Sequence, residues 1–276
     1  MSRQEAAPDA VVFERKGASD GQSGATMHVH WLEQTFAEVS PDTDWLCPAE
    51  RAQLEAMRIA KRREDWRLGR WTAKHAVAAH LDLPLLPSAL AAIEIRPAAS
   101  GAPDVFIDDR AALVSVSLTH RDGRAVCAIA PAGTRLGCDL EVVEPRCRAF
   151  VADYFTPAEQ ELVARVPGAE RLGVLALLWS AKESTLKALR EGLRLDPRSV
   201  EVNLGEDAVA ALAVNRSRVP SSPVEVWHKL STRFQQQLFY GWRQCDDEFV
   251  LTMVSAPEST QPVRMRMVSH LANPPA

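Results

Sequence analysis

The sequence predicts an α+β fold with two related halves, and three observations support this prediction. First, Trp71-Thr-Ala-Lys-His75 and Trp179-Ser-Ala-Lys-Glu183 are similar segments whose tryptophans lie 108 residues apart. Second, each segment is followed by a helical stretch, a proline break and a short strand, and the strands lie 107 residues apart, at Ile93 and Val200. Third, alternating apolar residues flank Arg121-Asp-Gly-Arg124, as is typical of an antiparallel hairpin. The repeated order indicates an internal duplication, and its two copies would meet at a central cleft.

The chain divides into four parts by composition. Residues 1–26 are rich in alanine, glycine, serine and charged residues and have no apolar period, so we expect a flexible tail there. The N-terminal subdomain is expected to span 27–132, beginning with the alternating segment Met27-His-Val-His-Trp31, and the C-terminal subdomain to span 133–256. Residues 257–276 contain four prolines and are expected to form a second tail.

The first candidate site residues lie on a predicted strand. The segment 135–141, Arg-Leu-Gly-Cys-Asp-Leu-Glu, is typical of a short strand that is entered through Gly137. Because side chains alternate between the two faces of a strand, Asp139 and Glu141 project to the same side. Taken alone, this pattern is also compatible with the solvated face of an ordinary strand.

A predicted helix supplies the partner groups. In the segment 179–187, Trp-Ser-Ala-Lys-Glu-Ser-Thr-Leu-Lys, the residues Trp179, Glu183 and Lys187 follow one another along one helix face. Glu183 and Lys187 alone are compatible with an ordinary helix ion pair. Together with the strand, they complete a set of three carboxylates and a lysine. Such a set suits a hard cation that holds a phosphate, and magnesium prefers oxygen ligands of this kind.

Composition favours an ordinary globular protein and excludes several classes. The 276 residues are 46% hydrophobic and 25% charged, and the net charge of -4 gives no general attraction to nucleic acid. No apolar run approaches membrane-spanning length and no apolar signal core is present, so we expect no membrane partner. The five cysteines contain no Cys-x-x-Cys pair, which favours reduced thiols and a cytoplasmic location.

A basic stripe lies in the first half. Residues 51–74 contain eight basic and three acidic residues, and four of the basic ones fall at helical spacing on one face: Arg63, Arg67, Arg70 and Lys74. The stripe is compatible with an ordinary solvent-exposed helix face. It is also compatible with phosphate binding, since guanidinium groups bind phosphate oxygens bidentately. Nucleic acid is the rival partner, but the acidic net charge and the absence of a nucleic-acid-binding motif argue against it.

The two site segments closely resemble the paired signature of the 4′-phosphopantetheinyl transferases, roughly G-[IV]-D-[IL]-E and W-[ST]-x-K-E-[AS]-x-x-K. Here they read Gly-Cys-Asp-Leu-Glu at 137–141 and Trp-Ser-Ala-Lys-Glu-Ser-Thr-Leu-Lys at 179–187. The resemblance extends from about Trp31 to Ala256, and the length agrees with the two-halved, surfactin-type (group II) enzymes. It implies two pseudo-twofold-related α/β subdomains, each a small antiparallel sheet with a packed helix, with coenzyme A bound between them.

The resemblance also implies a reaction. A carrier-protein serine would attack the β-phosphorus of coenzyme A and expel 3′,5′-ADP. Asp139, Glu141 and Glu183 would hold Mg²⁺, and Lys187 would reach the phosphates. Glu183 is the candidate base, although a carboxylate bound to magnesium is a weak one. Lys182 is expected either to serve the leaving group or to solvate the helix.

Residues of the first half resemble the family's contacts to coenzyme A. The helix with Arg63 and Arg70 resembles an arginine-rich helix that ends in Gly-Arg and faces the nucleotide phosphates. Arg96 and Gly101 lie where the family has an arginine and a Gly-Lys-Pro turn, but Ala102 replaces the lysine.

The family pattern Asn-x-Ser-His reads Ser-Leu-Thr-His at 117–120. In this match, His120 resembles the residue that holds the nucleotide 3′-phosphate, and Thr119 is a conservative replacement beside it.

The implied partner is an acyl or peptidyl carrier protein of fatty-acid, polyketide or peptide synthesis. An apolar patch rimmed by basic residues near 187–194 is expected to receive its acidic helix, and a pseudo-dimer is expected to be a monomer. One alternative is a non-catalytic paralogue that binds coenzyme A or a carrier protein. Another is an unrelated magnesium-dependent nucleotide phosphotransferase, but that class normally has a glycine-rich phosphate loop, which this sequence lacks.

Overall fold

A computed structural model describes residues 26–205 and 226–266 and confirms the α+β class. Its helices are α1 (Pro48–Ala56), α2 (Ala60–His80), α3 (Pro87–Ala92), α4 (Arg148–Tyr154), α5 (Pro157–Arg165) and α6 (Gly168–Ala188). Its strands are β1 (His30–Thr35), β2 (Ile93–Pro97), β3 (Pro103–Ile107), β4 (Arg110–Ala111), β5 (Val114–Arg121), β6 (Arg124–Pro131), β7 (Arg135–Val142), β8 (Val200–Asn203), β9 (His228–Phe234), β10 (Gln237–Cys245), β11 (Phe249–Ala256) and β12 (Val263–Arg264).

The strands form three small sheets. The first has the order β12-β1-β6-β5, the second β7-β11-β10-β9-β8 and the third β2-β3-β4. Neighbouring strands are antiparallel except for β12, which runs parallel to β1. The hairpin predicted at residues 121–124 joins β5 to β6, and its Asp122 and Gly123 have positive φ of 49° and 74°, as a tight hairpin turn requires.

The first half contains a buried clamp between a lysine and a glutamate. Lys74 in α2 is fully buried, and its Nζ lies 2.6 Å from Glu50 Oε2. The same ammonium donates to the carbonyl oxygens of Leu90 and Ile93, at 2.9 and 2.6 Å. Glu50 also caps α1 as the third residue of a capping box, so one carboxylate fixes α1, α2 and the start of β2.

The second half repeats this clamp. Lys182 in α6 is fully buried, and its Nζ lies 2.9 Å from Glu159 Oε2 and donates to the carbonyl oxygens of Pro197 and Val200. Glu159 again is the third residue of a capping box, which begins at Thr156 and caps α5. The shared clamp and the two 21-residue helices α2 and α6 support the predicted duplication.

The two halves pack face to face. An apolar cluster between the sheets joins first-half residues such as Trp31 and Val126 to second-half residues such as Leu140 and Met253. This contact brings β5 alongside β7, where the candidate site lies.

The predicted C-terminal tail begins with residues that pack on the first half. Residues 257–266 run along the first half, where Thr260 N donates to Met27 O and Val263 N donates to Val29 O. The segment thus adds β12 to the edge of the first sheet, because β1 has free backbone groups on that side. The remaining predicted tail residues, 1–25 and 267–276, lie outside the described residues.

Candidate functional site

The site centres on Asp139, which is buried where β7 packs against α6. Its Oδ1 lies 2.6 Å from Lys187 Nζ and accepts a hydrogen bond from the Thr119 hydroxyl at 3.2 Å. Its Oδ2 is buried without a hydrogen-bond partner among the described residues. Burial by itself lowers the pKa of Lys187, but the adjacent carboxylate outweighs burial and raises it above the ordinary value.

Gly137 permits the close approach of strand and helix. A Cβ at this position would lie 1.7 Å from the carbonyl oxygen of Ser184 and 2.8 Å from the amide nitrogen of Ala188. The glycine that begins the strand signature therefore has a packing role, since any side chain here would push β7 away from α6.

Replacing Gly137 with alanine should lower the free energy of unfolding by about 1–3 kcal/mol, because the added methyl group overpacks the contact with Ser184. Urea unfolding measures the change. Gly168→Ala is the matched control, since nothing lies within 4 Å of a Cβ added there. Unchanged stability of Gly137→Ala would contradict the close approach.

Glu141 is held by protein groups on both oxygens. Its Oε1 accepts a hydrogen bond from Trp179 Nε1 at 3.1 Å, and its Oε2 lies 2.8 Å from Arg146. Burial, and then the charge of Asp139, raises the pKa of Glu141. Direct binding of a cation by Glu141 would require Arg146 to move, so this role stays a prediction.

Glu183 lies one turn before Lys187 on α6, beside both strand carboxylates. No hydrogen bond or ion pair engages its side chain in the described ranges. Burial, followed by the charge of Asp139, raises its pKa to about 7, and Lys187 only partly offsets this rise. The group is therefore suited to exchange a proton near neutral pH.

In metal-free buffer, Glu183 should make the protein less stable as the pH rises from 4.5 to about 7. The sign follows because the folded state binds the proton more tightly than the unfolded chain does. At about 1.4 kcal/mol per pKa unit, the contribution amounts to at most about 3.5 kcal/mol. Glu183→Gln should remove this pH-dependent contribution to the free energy of unfolding. Glu161→Gln, at an exposed position of α5, should leave it in place. Chemical unfolding at pH 5 and pH 8 with EDTA measures the effect. An equal change in the free energy of unfolding between the two pH values for the parent and for Glu183→Gln would contradict the prediction.

The carboxylates fit a divalent cation in part. The unpartnered Oδ2 of Asp139 is a hard oxygen donor in a buried setting, and Glu183 adds another beside it. Across residues 26–205 and 226–266, no group of three or more His, Cys, Asp or Glu residues is arranged to hold a metal ion. A magnesium ion here would therefore have few protein ligands and depend on substrate phosphate and water, as is common for this ion.

His120 lies exposed at the end of β5, where α2 faces the site. Partial desolvation lowers its pKa, with Asp65 opposing the change and Lys187 and Lys61 adding to it. The structure thus brings His120 near cations from both halves. Sequence reasoning missed Lys61, because the stripe was assigned to a different face of the helix.

Most cations of the basic stripe contact protein groups, so their predicted phosphate-binding role stays a prediction that the geometry does not favour. Lys74 is in the buried clamp, and Arg70, with a side chain only 14% exposed, lies 3.6 Å from Glu50. Arg67 donates to backbone carbonyls of the loop before α1. Only Arg63 is exposed. The stripe faces inward because one buried carboxylate attracts two of its cations.

One further expectation, for Lys182, needs correction, and another, for Arg96, stays a prediction. Lys182 neither faces a nucleotide nor solvates its helix, because its ammonium is fully buried against Glu159. Arg96 is paired with Glu94 and Asp109, so its charge is already balanced by protein carboxylates.

A cavity of about 480 Å³ lies between the two halves, next to Lys187. The first half contributes the turn at 100–103, including the predicted residue Gly101, and strand residues 115–118. The second half contributes the end of α6 and the chain as far as Gly192. The predicted central cleft is thus present, and Lys187 joins it to the carboxylates.

A strand and a helix that place carboxylates and a lysine beside such a cavity form a site suited to a phosphate-bearing substrate. Residues 135–252 match the family model described as the 4′-phosphopantetheinyl transferase superfamily. The matched segment contains Asp139, Glu183 and Lys187 and supports a transferase. No curated protein matches the chain. Among the helices of the described ranges, none has the length and apolar character needed to cross a bilayer.

Proposed function

We propose that the protein transfers the 4′-phosphopantetheine group of coenzyme A to a serine of a carrier protein. The serine oxygen bonds to the β-phosphorus, the bond from this phosphorus to the bridging oxygen breaks, and 3′,5′-ADP leaves. The convergence of Asp139, Glu183 and Lys187, within the segment that is similar to the superfamily, carries the proposal. Transfer at phosphorus depends mainly on positioning and charge stabilisation, which this cluster provides.

Asp139 is the residue best placed to hold Mg²⁺, which when bound offsets negative charge on the pyrophosphate. Lys187 neutralises Asp139 and presents its ammonium to the same phosphates. Glu183 is the proposed acceptor of the serine proton, because a pKa of about 7 makes it a better base than an ordinary carboxylate. Its additional role as a metal ligand remains a prediction, as does that of Glu141.

Coenzyme A would lie along the boundary between the halves, in the cavity beside Lys187. Gly101 lines this cavity, which supports the contact predicted for its turn. His120 and Lys61 are the proposed partners of the 3′-phosphate, in place of the buried Arg70 and Lys182. Arg63 stays a predicted contact.

The carrier protein would dock near the end of α6. Leu193 is 61% exposed there, between Arg190 and Arg194. These two cations form exposed ion pairs with Asp104 and Glu191, which an acidic partner would have to replace. This arrangement suits an acidic amphipathic helix. The pseudo-dimeric arrangement of two clamped halves in one chain supports the surfactin-type subclass and a monomer. The five cysteines all lie in the described residues and form no disulfide, which supports a cytoplasmic location.

The direct test mixes the protein with apo-carrier, coenzyme A and Mg²⁺ and weighs the carrier by mass spectrometry. Carriers of fatty-acid, polyketide and peptide synthesis are assayed side by side, because the structure does not select among them. A gain of one phosphopantetheine group on at least one carrier is expected. No gain on any of the three would reject the transferase proposal.

A further inference from the structure

The edge strands β5 and β7 meet at the boundary of the two halves, but they belong to different sheets. Hydrogen bonds from backbone amides of β7 to side-chain hydroxyl groups of β5 join the two strands, in place of the backbone hydrogen bonds of a continuous sheet. Ser117 Oγ accepts a hydrogen bond from Cys138 N at 2.9 Å, and Thr119 Oγ1 accepts one from Leu140 N at 3.2 Å. Two hydroxyl groups of the first half thus satisfy amides on the buried edge of the second sheet, where no neighbouring strand pairs with β7 in the described residues.

Thr119 differs from Ser117 in one respect. Its hydroxyl also donates to Asp139 Oδ1, which is the oxygen that receives Lys187 Nζ. A hydroxyl that accepts from an amide still has its single proton to donate, so both bonds form at once. Thr119 and Asp139 are 5% and 4% exposed, so little water competes with the hydrogen bond between them.

We propose that Thr119 is a positioning residue for Asp139. Thr119 and Lys187 both donate to Oδ1 of Asp139, and the Leu140 amide fixes the direction in which the Thr119 hydroxyl donates. The oxygen of Asp139 that is left to face a cation is then Oδ2. This inference rests on the proposed function and changes the expected role of Thr119 from a coenzyme A contact to a support of the carboxylate. It also makes the site of the second half dependent on a residue of the first.

The test compares Thr119→Val with Ser117→Ala. Each variant removes a hydroxyl that accepts from a β7 amide, but only Thr119→Val removes the donor to Asp139. Binding of Mn²⁺, measured by electron paramagnetic resonance without carrier protein, should weaken about 10- to 100-fold in Thr119→Val, as is usual when a group that orients a metal ligand is lost. Ser117→Ala should bind Mn²⁺ as the parent does, and Thr119→Ser should restore binding.

Thermal unfolding of each variant separates positioning from loss of structure, and Thr119→Cys, with a weak donor of similar size, replaces the valine variant if that one does not fold. Equal loss of Mn²⁺ affinity in Thr119→Val and Ser117→Ala would overturn the proposal. Crystal structures add a test that needs no metal: the Asp139 carboxylate should be rotated in Thr119→Val, and an unchanged carboxylate would reject the inference. If the parent itself binds no Mn²⁺, the metal assignment fails, and the carboxylate orientation alone decides the role of Thr119.

Discussion

Replacing Asp139 with asparagine should reduce the rate of phosphopantetheine transfer by at least about 100-fold. Loss of a group that only orients a metal ligand costs about 10- to 100-fold, and Asp139 is itself the proposed ligand. The amide keeps the shape of the side chain but removes the negative charge at the buried Oδ2 position. It also leaves Lys187 without its ion-pair partner, so the lysine no longer has a fixed orientation. The initial rate of carrier modification, measured by mass spectrometry, gives the effect.

The fold should survive the change to asparagine, since the hydrogen bond from Thr119 can still be accepted by the amide oxygen. Circular dichroism and thermal unfolding check this. Glu161→Gln removes one carboxylate from an exposed position of α5 and should leave transfer unchanged. Transfer by Asp139→Asn at the parental rate would remove Asp139 from the reaction.

Replacing Lys182 with methionine should lower the free energy of unfolding by about 3–5 kcal/mol, since it leaves the buried Glu159 carboxylate without its ionic partner. The carbonyl oxygens of Pro197 and Val200 lose their donor as well. Urea unfolding monitored by tryptophan fluorescence measures the loss.

Lys74→Met should be destabilising to a similar degree, because Glu50 would lose the equivalent partner. Lys229→Met is the control, as its ion pair with Glu258 is exposed and surface pairs contribute little. Below the unfolding transition, Lys182→Met should still transfer phosphopantetheine. A stable but inactive Lys182→Met protein would show that Lys182 acts in the reaction after all.

Local features of the fold were predictable because they depend on neighbours in sequence. The alternation at 135–141 predicted β7, and the spacing of Trp179, Glu183 and Lys187 predicted one face of α6. The turn at Asp122–Gly123 predicted the β5–β6 hairpin. Periodicity, capping and turn chemistry act over a few residues, so a single sequence reveals them.

The site was predictable in its acidic core and less so in its cations. Asp139 and Lys187 do meet, because the strand and the helix that carry them pack together around Gly137. The destinations of Lys182 and Arg70 were not apparent. Their partners Glu159 and Glu50 are distant in sequence, and the available signal was indirect: each glutamate stands third in a capping box before a helix that carries the repeated lysine.

The sequence by itself therefore determined the duplicated α+β plan, the carboxylates of the site and the strand and helix that carry them. Only the tertiary structure decided which cations are exposed and which are buried, and which hydroxyl donates to Asp139. The physical reason is that a lysine or an arginine has a long, flexible side chain whose direction depends on the nearest carboxylate in space. Helical spacing places such a residue on a face, but the packing of the two halves determines whether that face meets solvent, substrate or a buried glutamate.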